Sequence, residues 1–272
     1  MLKSATSYDN LIRDFQWNIP KQFNIAHACC EAWQSRDENR LALTHITPQD
    51  TVQNWTFSHL SKNSSKLANY LVASGHTDGD RIAVLLPQGP ETLISHLATY
   101  KAGMIAVPLA LLFGTDALTY RLADSGASCV ITNSQGYEKL TAIKAQLPEL
   151  RSIIVTDLPA GIPVPPNVTH YRDILDKASD TFDTRMTSPD DPAMMIYTSG
   201  TTGPPKGALH GHRVLLGHLP GMQMSHNFLP QAGDRIWTPA DWAWAGGLLN
   251  VLLPALMLGV PIVSSATQKF DP

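Results

Sequence analysis

Between Arg81 and Thr156 the chain repeats one pattern: a short apolar run, then a stretch with helical spacing. The runs are RIAVLL, MIAVPL, SCVIT and SIIVT. A run that is apolar at consecutive positions rather than alternate ones suits a strand buried on both faces. Between the runs, PETLISHLATYKAG has Pro90 near its start and Gly103 at its end, the punctuation of a helix. DALTYRLADSG and the segment around Tyr137 to Gln146 read as helices too. Strand, helix, strand in series predicts a largely parallel sheet with helices packed on it, an α/β architecture.

The flanks are less regular. Phe23 to Trp33 reads as a helix with Phe23, Ala26, His27 and Cys30 on one face. LALTHI and TVQNWTF, joined by TPQD, suggest a hairpin. Thr56 or Ser58 is placed to cap a helix through HLSKNSSKLANYLVAS that stops at Gly75. The four prolines of LPAGIPVPPNV mark a connector, and AMMIY at 193–197 is another buried strand. The segment from Ala243 to Val263 is long and apolar, but Asn250, Pro254, Pro261 and three glycines interrupt it. It reads as a buried helix followed by a core strand, not a membrane span.

The net charge of -3 gives no reason to expect nucleic acid or an anionic membrane as partner. Cys29, Cys30 and Cys129 have no metal-ligand spacing and read as small buried apolar residues. MLKSATSYDN contains no apolar signal segment, so a cytoplasmic location is expected.

Directly after the strand at 193–197 comes the stretch YTSGTTGPPKG, from Tyr197 to Gly207. The end of a strand in an α/β sheet is where such sheets bind ligands. Glycines let a backbone turn through positive φ and bring N–H groups close to an anion. Thr198, Ser199, Thr201 and Thr202 add hydroxyl donors, and Lys206 adds a compact positive charge. A polyphosphate wants this set. A plain flexible loop is the bland alternative, set against by the order of strand, glycines and lysine. A P-loop fails at two places, since Pro205 stands where the second glycine belongs and Gly207 follows the lysine.

YTSGTTGPPKG resembles the phosphate-binding signature of the adenylate-forming superfamily: acyl-CoA synthetases, luciferases and peptide-synthetase adenylation domains. The stretch from LLPQGPETLISHLATYKAG to GASCVIT, then KGALHGHRVLLGH and TPADWAWAGGLLN, continues the resemblance over nearly the whole chain. The likeness is nearest to short- and medium-chain acyl-CoA synthetases. It implies an incomplete large domain of the acyl-CoA synthetase and luciferase-like fold, with mostly parallel sheets layered with helices. Roughly 75–215 would be one lobe ending in the phosphate loop, and 20–74 with 216–272 part of a second.

The same resemblance implies ATP, Mg²⁺ and coenzyme A, and a carboxylate activated through an acyl-adenylate to a thioester. Thr198, Ser199, Gly200, Thr201, Thr202 and Gly203 would wrap the β- and γ-phosphates, and Lys206 would follow the departing pyrophosphate as the catalytic residue. Trp244, with Gly247 beside it in DWAWAGG, falls in the stretch that lines the acyl pocket; a core tryptophan is the equal alternative. His210 and His212 have the spacing of a metal pair but no third ligand, so structural roles are favoured and no metal site is assigned. Arg121 and Asp124 read as a structural pair on a helix surface. Relatives continue for roughly as long again beyond Pro272, so an N-terminal fragment, inactive alone and able to self-associate as a homodimer, is expected. An aryl-CoA ligase, an adenylation domain, or a non-catalytic nucleotide-binding protein are the alternatives.

Overall fold

A computed structural model of the chain describes residues 2–3, 5–159, 161–198 and 203–265. Its strands are β1 (Leu41–Ile46), β2 (Val52–Thr56), β3 (Arg81–Leu85), β4 (Ile105–Pro108), β5 (Cys129–Thr132), β6 (Ser152–Val155), β7 (Val168–His170), β8 (Pro192–Thr198), β9 (Lys206–Gly211) and β10 (Ile262–Ser265). Seven form one sheet in the order β7-β6-β5-β3-β4-β8-β9. Every neighbouring pair in it is parallel except β8 with β9.

The apolar runs are two-faced, as their composition requires. Ile82, Val84 and Ile131 look to one side and join Leu93 and Leu97 of the helix Pro90–Lys101. Ala83, Leu85 and Val130 look to the other and meet Leu118 and Leu122 of the helix Thr115–Ser125 and Leu140 of the helix Ser134–Ile143. The chain leaves β3 for β4 on one side, then crosses back to β5 on the other. The switch point therefore lies where β3 and β4 end, and β8 ends on the same rim.

A smaller sheet has the order β10-β1-β2, with β1 antiparallel to β2 and parallel to β10. Thr56 caps the helix Phe57–Ala73, accepting from the His59 N–H in a reciprocal box. Near the other end, helical segments over Ala245–Gly247, Leu248–Leu252 and Leu253–Leu258 run into Gly259, and β10 follows. The expected buried helix and core strand are both there. No helix among the described residues is long and apolar enough to cross a membrane.

Three local expectations change. The turn His27–Glu31 is a π-helix, whose wider i→i+5 step rotates the following residues. His27 consequently faces solvent and pairs with Glu31 at 3.2 Å, while Cys29 joins Cys30 in the core. Strand β7 closes the proline-rich connector, and β9 turns the segment after the glycines into the return arm of a hairpin. All three cysteines are free and buried, and burial pushes the Cys30 and Cys129 thiols up to about 12.

Candidate anion site at the rim of the sheet

Strand β8 is buried through most of its length and surfaces at Thr198. In the β8–β9 register Thr198 stands opposite Lys206, and Tyr197 opposite Gly207. Lys206 is exposed and, among the described residues, makes no ion pair. Gly203 has φ +83 with open space around it, a conformation that asks for glycine. A Cβ at Gly207 would lie 2.8 Å from the Met195 Sδ and 3.1 Å from the Tyr197 Cζ, so the ring of Tyr197 closes against bare backbone. Ser199, Gly200, Thr201 and Thr202 lie outside the described residues. Thr198, Gly203 and Lys206 are thus gathered at one hairpin mouth, with a hydroxyl and an ammonium on facing arms.

The helix Thr115–Ser125 braces that mouth. Tyr197 donates its hydroxyl to Asp124 Oδ2 at 2.6 Å, and Tyr120 donates to the Pro205 carbonyl at 2.9 Å. Burial first, and then the bond to the Asp124 carboxylate, raise the Tyr197 phenol well above its ordinary value, so it stays a donor. Arg121 is buried, not on the helix surface, and does not pair with Asp124. Its guanidinium lies 4.2 Å from the Phe113 ring centroid and 5.8 Å from that of Tyr197, and donates from Nη1 to the Ala117 carbonyl at 2.9 Å. Asp124 serves Tyr197 instead. The surface reading failed because hairpin and loop, distant in sequence, cover this helix face.

Across the rim, Gln88, in the loop that leaves β3, donates from Nε2 to the Ala240 carbonyl at 2.7 Å. That bond draws the 238–244 segment over the ends of β3 and β4. Trp244 is 44% exposed and sets its ring edge-on to Phe113, centroids 5.7 Å apart. The core tryptophan is its neighbour Trp242, at 1%. Gly247 is required for another reason: a Cβ there would fall 2.5 Å from the Asp241 carbonyl oxygen and 2.6 Å from that of Ala240, so the segment folds tightly back on itself.

The two histidines of HGH part company. His212 is buried and accepts the Ile25 N–H on Nδ1 at 3.1 Å. His210, half-buried on β9, has its pKa lowered by burial and by His218. Of the residues the sequence did not single out, Gln88 had a signal, since it lies in the loop just past a strand at a switch point. Tyr120 had none, because its partner lies 85 residues away. A broad groove of about 460 Å³ between Trp17, Ile19 and the start of the helix Val214–Ser225 lies at the base of the hairpin, away from its mouth.

The family model described as AMP-binding enzyme matches residues 30–272. The human mitochondrial acyl-coenzyme A synthetase ACSM2B is 29% identical to the chain, covering 100% of it and 48% of that protein. The acetyl-coenzyme A synthetase of Xanthobacter autotrophicus is 27% identical over 98% of the chain and 44% of its own length. Among solved structures, a Brucella canis acyl-CoA synthetase superposes with a TM-score of 0.84 at 30% identity, covering 95% of the chain and 47% of that one. An anthranilate CoA ligase, AuaEII, shares the fold with a TM-score of 0.77 at 22% identity. The chain spans about half the length of the relatives it matches.

Proposed function

Since the chain belongs to the AMP-binding enzyme family, we propose that it serves an ATP-dependent, AMP-forming acyl-CoA synthetase acting on a short- or medium-chain carboxylate. The observation that carries this reading is the hairpin mouth: Thr198 faces Lys206 across β8 and β9, at the rim where β3 and β4 also end. The carboxylate attacks the α-phosphorus of ATP and expels pyrophosphate, and the thiol of coenzyme A then displaces AMP. There is little covalent work for the protein in the first step. Its tasks are to hold the reactants in line and to stabilise charge on the departing pyrophosphate. Thr198 to Gly203 supply donors for the β- and γ-phosphates, and Lys206 a point charge that can follow the leaving group. Mg²⁺ would supply further charge neutralisation on the triphosphate, and no residue of this chain is assigned to hold it.

Trp244, half-exposed over Phe113, offers an apolar wall to an acyl tail, and Gly247 holds the segment bearing it in shape. The names of the relatives, an acetyl-coenzyme A synthetase among them, support the acyl-CoA chemistry and a tail of limited length.

Hydroxylamine trapping of the acyl-adenylate tests the reading. In a protein that carries this chain at the full length of its relatives, given ATP and a panel of aliphatic and aromatic carboxylates, hydroxamate should form fastest with short or medium aliphatic acids. Lys206→Ala should cut that rate by about 10²-fold, the usual loss for one charge-stabilising donor. An unchanged rate in Lys206→Ala would remove the hairpin from the chemistry.

A further inference from the structure

The hairpin mouth has little of its own to hold it in place. Strand β9 closes the sheet on that side and, among the described strands, is bonded to β8 alone. Pro204 and Pro205 have no N–H to give, and Gly203 sits in a left-handed conformation. An exposed lysine on such an arm would sample a wide volume unless something outside the hairpin fixes the arm.

The outside reference is a single helix. Tyr120 and Asp124 are one turn apart on Thr115–Ser125, so they share a face. Asp124 takes the first arm through the Tyr197 hydroxyl at 2.6 Å, one residue before Thr198. Tyr120 takes the second arm through the Pro205 carbonyl at 2.9 Å, one residue before Lys206. The rings of Tyr120 and Tyr197 also meet edge to face, centroids 6.4 Å apart. Leu118 and Leu122 anchor the helix in the core, so the reference is rigid. Each tether lands immediately before a residue offered to the anion, and the two tethers hold opposite arms. From this geometry we propose that Tyr120 and Asp124 are positioning residues that set the place of Lys206 and Thr198 for a triphosphate. The proposal rests on the reading of the hairpin as a triphosphate cradle.

Arg121 extends the brace sideways. Its guanidinium lies between the rings of Phe113 and Tyr197, and Phe113 carries Trp244. One helix thereby references both the anion mouth and the apolar wall opposite.

The test is binding of magnesium tripolyphosphate and MgATP to this chain by calorimetry at fixed salt, with thermal unfolding run alongside. Tyr120→Phe keeps the ring and loses only the tether; it should weaken binding about five-fold, the worth of one hydrogen bond. Asp124→Ala should do likewise, while Asp124→Asn, whose amide oxygen still accepts from Tyr197, should restore most of the affinity. Should Asp124→Ala fail to fold, Tyr197→Phe removes the same bond from the other side. In a Lys206→Ala background, Tyr120→Phe should cost nothing further, because its effect runs through the lysine. Tripolyphosphate binding lost with Lys206→Ala but untouched by Tyr120→Phe and Asp124→Ala would overturn the positioning role and leave the cradle standing. Equal losses from Tyr120→Phe with and without Lys206 would overturn it as well. No binding by the parent chain, or binding indifferent to Lys206→Ala, would sink the cradle and the positioning role together.

Discussion

The two ring nitrogens of His212 have unequal fates. Nδ1 accepts the Ile25 N–H, so the proton sits on Nε2, which has no partner among the described residues. A second proton would have to displace the Ile25 bond inside the core. Burial accordingly lowers this pKa from 6.5 to about 4, with Asp191 opposing. His96, buried against Tyr100, is lowered from 6.5 to about 4 by burial as well. A base depressed in the folded state takes up protons first in the unfolded one. Its stabilising share is therefore complete above 6.5 and drains away as pH falls toward 4. A shift of that size corresponds to about 3 kcal/mol. Urea midpoints measured from pH 7 to pH 4 should fall steeply in the native chain. His212→Asn, which keeps an acceptor for Ile25 and cannot titrate, should flatten the slope by one proton's share; an unaltered slope would place the acid sensitivity elsewhere.

Elements that announce themselves by composition are the ones the sequence makes legible. The four consecutive-apolar runs became β3 to β6, and Thr56 capped the helix it precedes. What stayed hidden depends on contacts far along the chain. KGALHG has no strand pattern, and it is β9 only because β8 lies beside it. The π turn at His27–Glu31 follows a helical period that one extra residue per turn displaces. Of the candidate site, the anion-binding chemistry was legible in residue types, whereas the brace from Tyr120, Asp124 and Gln88 was not. The helix that ends at Gly259 shows the same dependence. Gly259 has φ +71, and a Cβ would fall 2.6 Å from the Trp33 ring. That indole cannot retreat: Nε1 donates to the Met257 carbonyl at 3.1 Å, the ring stacks on Phe57, and Arg40 lies over it at 4.5 Å. Gly259→Ala adds a left-handed side chain to a filled site and should cost about 3 kcal/mol in chemical denaturation. A loss below about 1 kcal/mol would mean that the indole yields.

Two helices, the N-terminal π turn and the connector before β8 meet around a buried cation. Lys101 ends the helix Pro90–Lys101 with its side chain 0% exposed. Its Nζ pairs with Glu31 at 2.9 Å and donates to Ser65 Oγ at 2.9 Å and the Ser61 carbonyl at 3.2 Å. Glu31 in turn accepts from Thr184, in the connector before β8. The helix of 57–73, the helix of 90–101, the N-terminal π turn and the connector thus converge on one charge pair. Burial alone would raise the Glu31 pKa, but Lys101, Thr184 and His27 together bring it below 4.5. A carboxylate depressed on folding stabilises above pH 4.5, and the gain disappears as pH drops through the folded value. Removing one member of a buried pair strands the other, so Lys101→Met should lower stability at pH 7 by about 3 kcal/mol or more. With the cation gone, burial should govern Glu31 and raise its pKa, so that Glu31's own share of stability should grow rather than shrink on acidification. Adding Glu31→Gln to Lys101→Met should recover part of the loss and erase that share. The difference between the Lys101→Met and Lys101→Met/Glu31→Gln denaturation curves from pH 3.5 to 7, in which the two histidines cancel, decides the matter: a Glu31 share that still falls with acid would show that Glu31 draws its low pKa from Thr184 and His27 rather than from the lysine.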